Sequence, residues 1–137
     1  MGYLYEILEH PADIRLKVKA TSLEEIFEGA LKGMAEIFAL KENFLNEKIE
    51  KEIKVNSLDL NSLLVDFLSE VLTLTDINDS VFNEIEIVSL KENEIIAKIK
   101  GFKIKEFKEE IKAVTYHNLA IKKNEKNEYE VEVLFDI

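Results

Sequence analysis

The sequence predicts an α+β fold, with mostly antiparallel sheets and two main amphipathic helices. Three observations point to it. Apolar residues recur at helical spacing in two segments of the first half, the period changes to two from Val81 onward, and helices and strands are segregated instead of alternating as βαβ units. A chain of 137 residues that is 47% hydrophobic and 34% charged can bury a core and keep a solvated surface, so residues 1–137 are expected to form a single domain.

Tyr3 to Leu8 reads as a short strand that ends at His10-Pro11, because proline holds the residue before it extended and cannot donate to a ladder. Ile14, Leu16, Val18 and Ala20 then alternate with Arg15, Lys17 and Lys19, the pattern of a half-buried strand. Ser22-Leu23-Glu24-Glu25 matches a capping box, and the helix it opens puts Leu23, Ile26, Phe27, Ala30, Leu31, Met34 and Phe38 on one stripe as far as about Ala39. Residues Asn43 to Glu52 are charged and weakly patterned, with Ile49, Ile53 and Val55 marking a strand that emerges late and ends near Asn56. A second helix follows, capped by Ser57 or Asp59, with Leu60, Leu63, Leu64, Phe67, Leu68, Val71 and Leu72 as its buried face.

Beyond Val81, the segments Phe82 to Val88, Glu94 to Lys100, Lys105 to Ile111, Ala113 to Lys122 and Tyr129 to Ile137 read as strands of an antiparallel meander. Turns are expected at Asn93-Glu94 and at Asn124 to Asn127. About seven or eight strands result, with both helices expected on one sheet face.

Composition excludes several chemistries. There is no cysteine, hence no disulfide, thiolate metal site or thiol nucleophile. The four glycines are scattered at Gly2, Gly29, Gly33 and Gly101, which rules out a glycine-rich phosphate cradle. A net charge of −10 repels phosphate backbones, so strong direct nucleic-acid binding is not expected, and a basic protein partner or a cation suits the charge better. No basic leader and no membrane-length apolar run is present, which places the expected location in the cytoplasm, away from membranes.

Four groups of residues could carry chemistry. His10-Pro11-Ala12-Asp13 sets an imidazole and a carboxylate at a strand junction; it reads either as a turn in which Asp13 bonds its own backbone or as a site. At the other end, Tyr129, Val131, Val133, Phe135 and Ile137 form one face of a strand that runs to the last residue, putting Asp136 beside the α-carboxylate of Ile137. If Asp13 lies near them, three carboxylates meet. Like charges that close need a cation between them, and all-oxygen ligation favours Ca²⁺, Mg²⁺ or Mn²⁺.

The third group is Ala113-Val114-Thr115-Tyr116-His117, which on a strand puts Thr115 and His117 on one face and Val114 and Tyr116 on the other, either as cross-strand polar contacts with Tyr116 in the core or as acid–base groups. Last, Asp66, Glu70, Asp76 and Asp79 make an acidic stripe, either a solvated face or a surface for a basic partner.

Taken together, these segments resemble the archease family. The resemblance is carried by YEILEHPADI (Tyr5 to Ile14), SLEEIF from Ser22, LLVDFLSEVLTLTD (Leu63 to Asp76), KAVTYH (Lys112 to His117) and the ending Leu134-Phe135-Asp136-Ile137, in family order over nearly the whole chain. The chain departs from the family pattern at Glu9, where Asp is usual, and at Pro11, where Thr is usual. The resemblance implies a cytosolic, non-catalytic activator of the GTP-dependent RNA ligase that joins 3′-phosphate or 2′,3′-cyclic phosphate ends to 5′-hydroxyls in tRNA splicing. It also implies promotion of ligase guanylylation and multiple turnover, and a divalent-metal site at Asp13, Asp136 and Ile137, with Ca²⁺ the favoured ion and Mg²⁺ or Mn²⁺ as alternatives. Two other classes of function are kept in view: a metal-dependent phosphoesterase built on His10, Asp13 and His117, and an acidic chaperone-like adaptor.

Overall fold

The computed structural model describes residues 2–10 and 12–137, including every side chain of these except those of Glu9 and His10. Eight strands and two α-helices follow one another as β1 (Tyr3–His10), β2 (Asp13–Ala20), α1 (Leu23–Phe38), β3 (Phe44–Asn56), α2 (Leu60–Asn78), β4 (Ser80–Lys91), β5 (Glu94–Ile104), β6 (Ala113–Thr115), β7 (Lys122–Lys123) and β8 (Tyr129–Asp136). The class is α+β, and every strand pair is antiparallel.

There are two sheets, however, where one helix-bearing face was expected. The first runs β1-β2-β8-β6 with β7 also paired to β8, and the second runs β3-β5-β4. Helix α1 packs on β1, β2 and β8 of the first sheet and on β4 of the second, while α2 packs on β3, β4 and β5 as well as β6. A helix gripped from two sides buries more than a stripe. Gly29, Gly33, Ala35 and Ile37 are buried along with the expected Ile26, Phe27, Ala30, Leu31, Met34 and Phe38.

Close approach of α1 to β2 depends on two small residues one turn apart. A Cβ at Gly29 would lie 2.8 Å from Val18 Cγ1, and one at Gly33 would lie 2.5 Å from Leu16 Cδ1. Leu16 and Val18, on the inner face of β2, are at most 1% exposed. Between the helices, the Phe27 and Phe67 rings meet edge to face with centroids 5.6 Å apart.

Both helix starts follow their capping residues. The Glu25 N–H donates to Ser22 Oγ at 3.2 Å, the N-cap bond, and the Ser22 hydroxyl donates to Glu25 Oε1 at 3.0 Å, tying the Glu25 side chain to the cap through its hydroxyl. For α2 the cap is Asp59, whose Oδ1 accepts the Ser62 N–H at 2.8 Å. Ser57 serves elsewhere, as described below.

Three expected strands are corrected. Strand β3 begins at Phe44, well before the apolar positions that marked it, because it is an edge strand whose charged side chains face solvent while its backbone pairs with β5. Lys105 to Ile111 is not a strand. There the Lys108 and Glu109 N–H groups donate to the Phe38 carbonyl that α1 leaves open, and Phe107 lies against Phe38 with centroids 5.6 Å apart. The strand expected from Ala113 to Lys122 stops at Thr115, since the His117 N–H turns back to Thr115 Oγ1 at 3.2 Å and Asn118 adopts a left-handed φ of 53°.

Candidate metal site

Position 13 reaches its place through the ladder of β2. The alternation of β2 sends Ile14, Leu16, Val18 and Ala20 into the core, leaving Asp13, Arg15, Lys17 and Lys19 on the outer face of the first sheet. Strand β8 does the same, with Val131, Val133 and Phe135 inward and Glu130, Glu132, Leu134 and Asp136 outward.

The register of these two strands sets Asp13 directly opposite Asp136. Opposed residues of an antiparallel pair have Cβ atoms about 5 Å apart on one face, within reach of a shared cation. Next along the chain, the Ile137 N–H donates to the Ala12 carbonyl at 3.5 Å, so the first strand junction and the last residue are neighbours. On the far side of β8, Ala113 of β6 also faces Asp136, and the Lys112 N–H donates to the Asp136 carbonyl at 2.7 Å. The expected trio Asp13, Asp136 and Ile137 thus lies at one end of the sheet.

Like charges placed directly opposite destabilise a ladder. The nearest outward cation on β2, Arg15, is engaged by Glu132 at 3.2 Å, and Lys19 by Glu130 at 3.3 Å; among the described residues no Lys or Arg pairs with Asp13 or Asp136. Among the described residues, too, no group of three or more His, Cys, Asp or Glu is placed to hold a metal ion.

The remaining candidates are arranged differently from expectation. Pro11 and the side chain of His10 lie outside the described residues. His117 does not share a strand face with Thr115: it sits in an exposed turn after β6, where it lines the outer groove together with Asp13, Arg15, Lys17 and Asn118. That groove encloses about 820 Å³. Tyr116 is 58% exposed instead of buried in the core.

Nor is the acidic stripe uniformly solvated. Asp66 accepts hydrogen bonds from both the Ser57 and the Tyr116 hydroxyls, which straps α2 to the loop after β6. That bond to Asp66, with partial burial and the charges of Asp66 and Asp59, raises the Tyr116 phenol above its ordinary pKa. This strap escaped sequence reasoning because its partners are 50 residues apart.

Asp76, an exposed residue, is pushed up first by partial desolvation of its carboxyl, then by the charges of Glu110 and Asp79. A carboxyl whose folded pKa exceeds its unfolded one contributes stability below the unfolded value and loses it as pH rises through the folded one. Asp76→Asn is therefore expected to raise the Tm by about 1–2 °C at pH 7, with the advantage shrinking toward pH 3, as thermal melts at the two pH values would show. A variant less stable than the parent at pH 7 would contradict the assigned cause.

The fold and this site define a small α+β protein with opposed surface carboxylates where its second strand pairs with its last. Similarity to known proteins places it further. The profile of the Archease protein family (MTH1598/TM1083) matches residues 5–137, and the chain belongs to that family. It is 38% identical over 130 residues to protein archease of Methanosarcina mazei, covering 89% of this chain and 88% of that one. Protein archease of Pyrococcus abyssi is 36% identical over 132 residues, covering 87% and 88% respectively.

Among solved structures, the solution structure of Methanobacterium thermoautotrophicum protein 1598 superposes with a TM-score of 0.71 at 27% identity, covering 97% of this chain and 98% of that one. The crystal structure of a Thermotoga maritima archease, described as a possible chaperone, gives 0.69 at 24% identity with 98% of each chain covered, a likeness that bears on the fold alone.

Proposed function

We propose that this chain is a non-catalytic, cytoplasmic accessory protein that activates the GTP-dependent RNA ligase of tRNA splicing, which joins 3′-phosphate and 5′-hydroxyl ends. It promotes ligase guanylylation and multiple turnover through a divalent cation held by Asp13, Asp136 and Ile137. The observation that carries the reading is the direct opposition of Asp13 and Asp136 across the β2–β8 ladder in a member of the Archease family. No helix among the described residues is long and apolar enough to cross a membrane, which is compatible with this setting.

Hard oxygen donors suit Ca²⁺ first, with Mg²⁺ and Mn²⁺ also accommodated. When bound, the cation supplies positive charge to organise phosphate oxygens for nucleotidyl transfer. This chain's own contribution is positional. Asp13 and Asp136 present their carboxylates from two strands of one ladder, a rigid frame that keeps the donors aligned without loop ordering. Their outward position lets a second protein reach the same ion.

The test is guanylylation of the cognate ligase under single-turnover conditions, with and without this protein, in chelator and in added Ca²⁺, Mg²⁺ or Mn²⁺. Stimulation that vanishes in chelator and returns with metal is expected. Stimulation indifferent to chelator would reject the cation and leave an adaptor acting through its acidic surface, whereas phosphoester hydrolysis by this chain alone would restore the phosphoesterase reading.

A further inference from the structure

Residues 57–59 and the loop of residues 116–121 meet beside the start of α2. Ser57 and Tyr116 donate to the two carboxylate oxygens of Asp66, and the Ile121 N–H donates to Asn61 Oδ1 at 2.9 Å. Leu58 follows Ser57 in the chain, immediately before the cap Asp59. A leucine there ordinarily folds back on the residue four places into the helix. That residue, Leu63, is fully buried, yet Leu58 is 95% exposed and makes no such staple. Tyr116, more than half exposed, has its hydroxyl tied to the same Asp66 carboxylate as Ser57, the residue before Leu58, so its ring is a fixed apolar surface on the same strap.

Two carboxylates lie near the Tyr116 end of this pair. They belong to Asp59 and Asp66, and among the described residues neither forms an ion pair with Lys or Arg. We infer that Leu58 and Tyr116 form a docking knob for a protein whose surface offers an apolar socket bordered by Lys or Arg. Resting on the function proposed above, the inference assigns that socket to the RNA ligase. Burial of Leu58 and the Tyr116 ring supplies the attraction, and the two carboxylates select a cationic rim. A tyrosine already held by a hydrogen bond loses little freedom on binding. The loop that carries Tyr116 also contributes His117, Asn118 and Ala120 to the groove containing Asp13, so a partner seated on the knob lies next to that groove.

The experiment titrates the whole chain into the ligase guanylylation assay and reads the half-saturating concentration separately from the plateau. Leu58→Asp, at a solvent-facing position, is expected to raise the half-saturating concentration about tenfold or more. Val88→Asp, at a site 61% exposed on the other sheet, controls for loss of surface apolarity and should stay within about twofold. By contrast, Asp13→Ala should lower the plateau without that shift.

If wild type stimulates and Leu58→Asp half-saturates at the wild-type concentration, the docking inference is wrong while the functional reading stands. A wild-type dimer in sedimentation that Leu58→Asp dissociates would overturn it too, assigning the knob to a second copy of the chain. Absence of any stimulation by wild type removes the functional reading and this inference together.

Discussion

Replacing Gly101 with alanine is expected to lower stability by about 3 kcal/mol, read as a fall in the urea midpoint with unchanged slope. Gly101 lies on β5, the central strand of the second sheet, facing Ile49 of β3 on one side and Phe82 of β4 on the other. A Cβ built there would sit 1.7 Å from the Val81 carbonyl oxygen and 2.8 Å from Phe82 Cα. Backbone atoms cannot yield as the end of a side chain can. The ladder would have to open where it already shifts register, between Phe82 and Glu84. Val81 and Phe82 are at most 1% exposed, so opening the ladder there would also disturb the core under α1. Gly33→Ala makes a useful contrast, because its clash is with side-chain atoms of Leu16 and not with backbone. An unchanged midpoint for Gly101→Ala would show that the β4–β5 spacing is not what demands glycine.

The second large effect concerns the opposed aspartates, and it has opposite signs with and without metal. In chelator, Asp136→Asn removes a like-charge pair from directly opposite positions, a gain of about 0.2–1 kcal/mol, and the variant should melt slightly above wild type. With Ca²⁺ at about one hundred times its Kd, wild type should gain about 2.7 kcal/mol, whereas Asp136→Asn and Asp13→Asn should gain far less. The same variants should lose stimulation of ligase guanylylation in parallel. If both variants keep the full metal-induced rise in Tm, the cation is bound elsewhere and the assignment of Asp13, Asp136 and Ile137 fails.

Much of the fold was legible because it is written locally. The cap at Ser22, the cap at Asp59 and the alternation of Ile14 to Ala20 are properties of a few adjacent residues, and each forms the element that its chemistry favours. Errors fell where a distant group claimed the backbone. Lys105 to Ile111 carries an alternating pattern, but its N–H groups are used on the Phe38 carbonyl of α1. The residues after Thr115 look like a continued strand, yet Thr115 Oγ1 and Asn61 Oδ1 take their N–H groups instead.

Gly29 and Gly33, four residues apart in α1, were the available sign that a second layer packs on that helix. They went unread because glycines add nothing to a hydrophobic stripe.

Residue order alone was enough to define two helices, an antiparallel strand content, a chain without thiol or phosphate-loop chemistry, and the aspartates at its two ends, since each follows from local spacing or composition. Whether those ends meet is a matter of strand order. The pairing of β2 with β8 puts residues 123 positions apart directly opposite each other, Asp13 facing Asp136, and no local preference specifies that. It comes from burying Ile14, Leu16 and Val18 with Val131, Val133 and Phe135 beneath α1, a collective gain that exists only once both strands lie in one sheet.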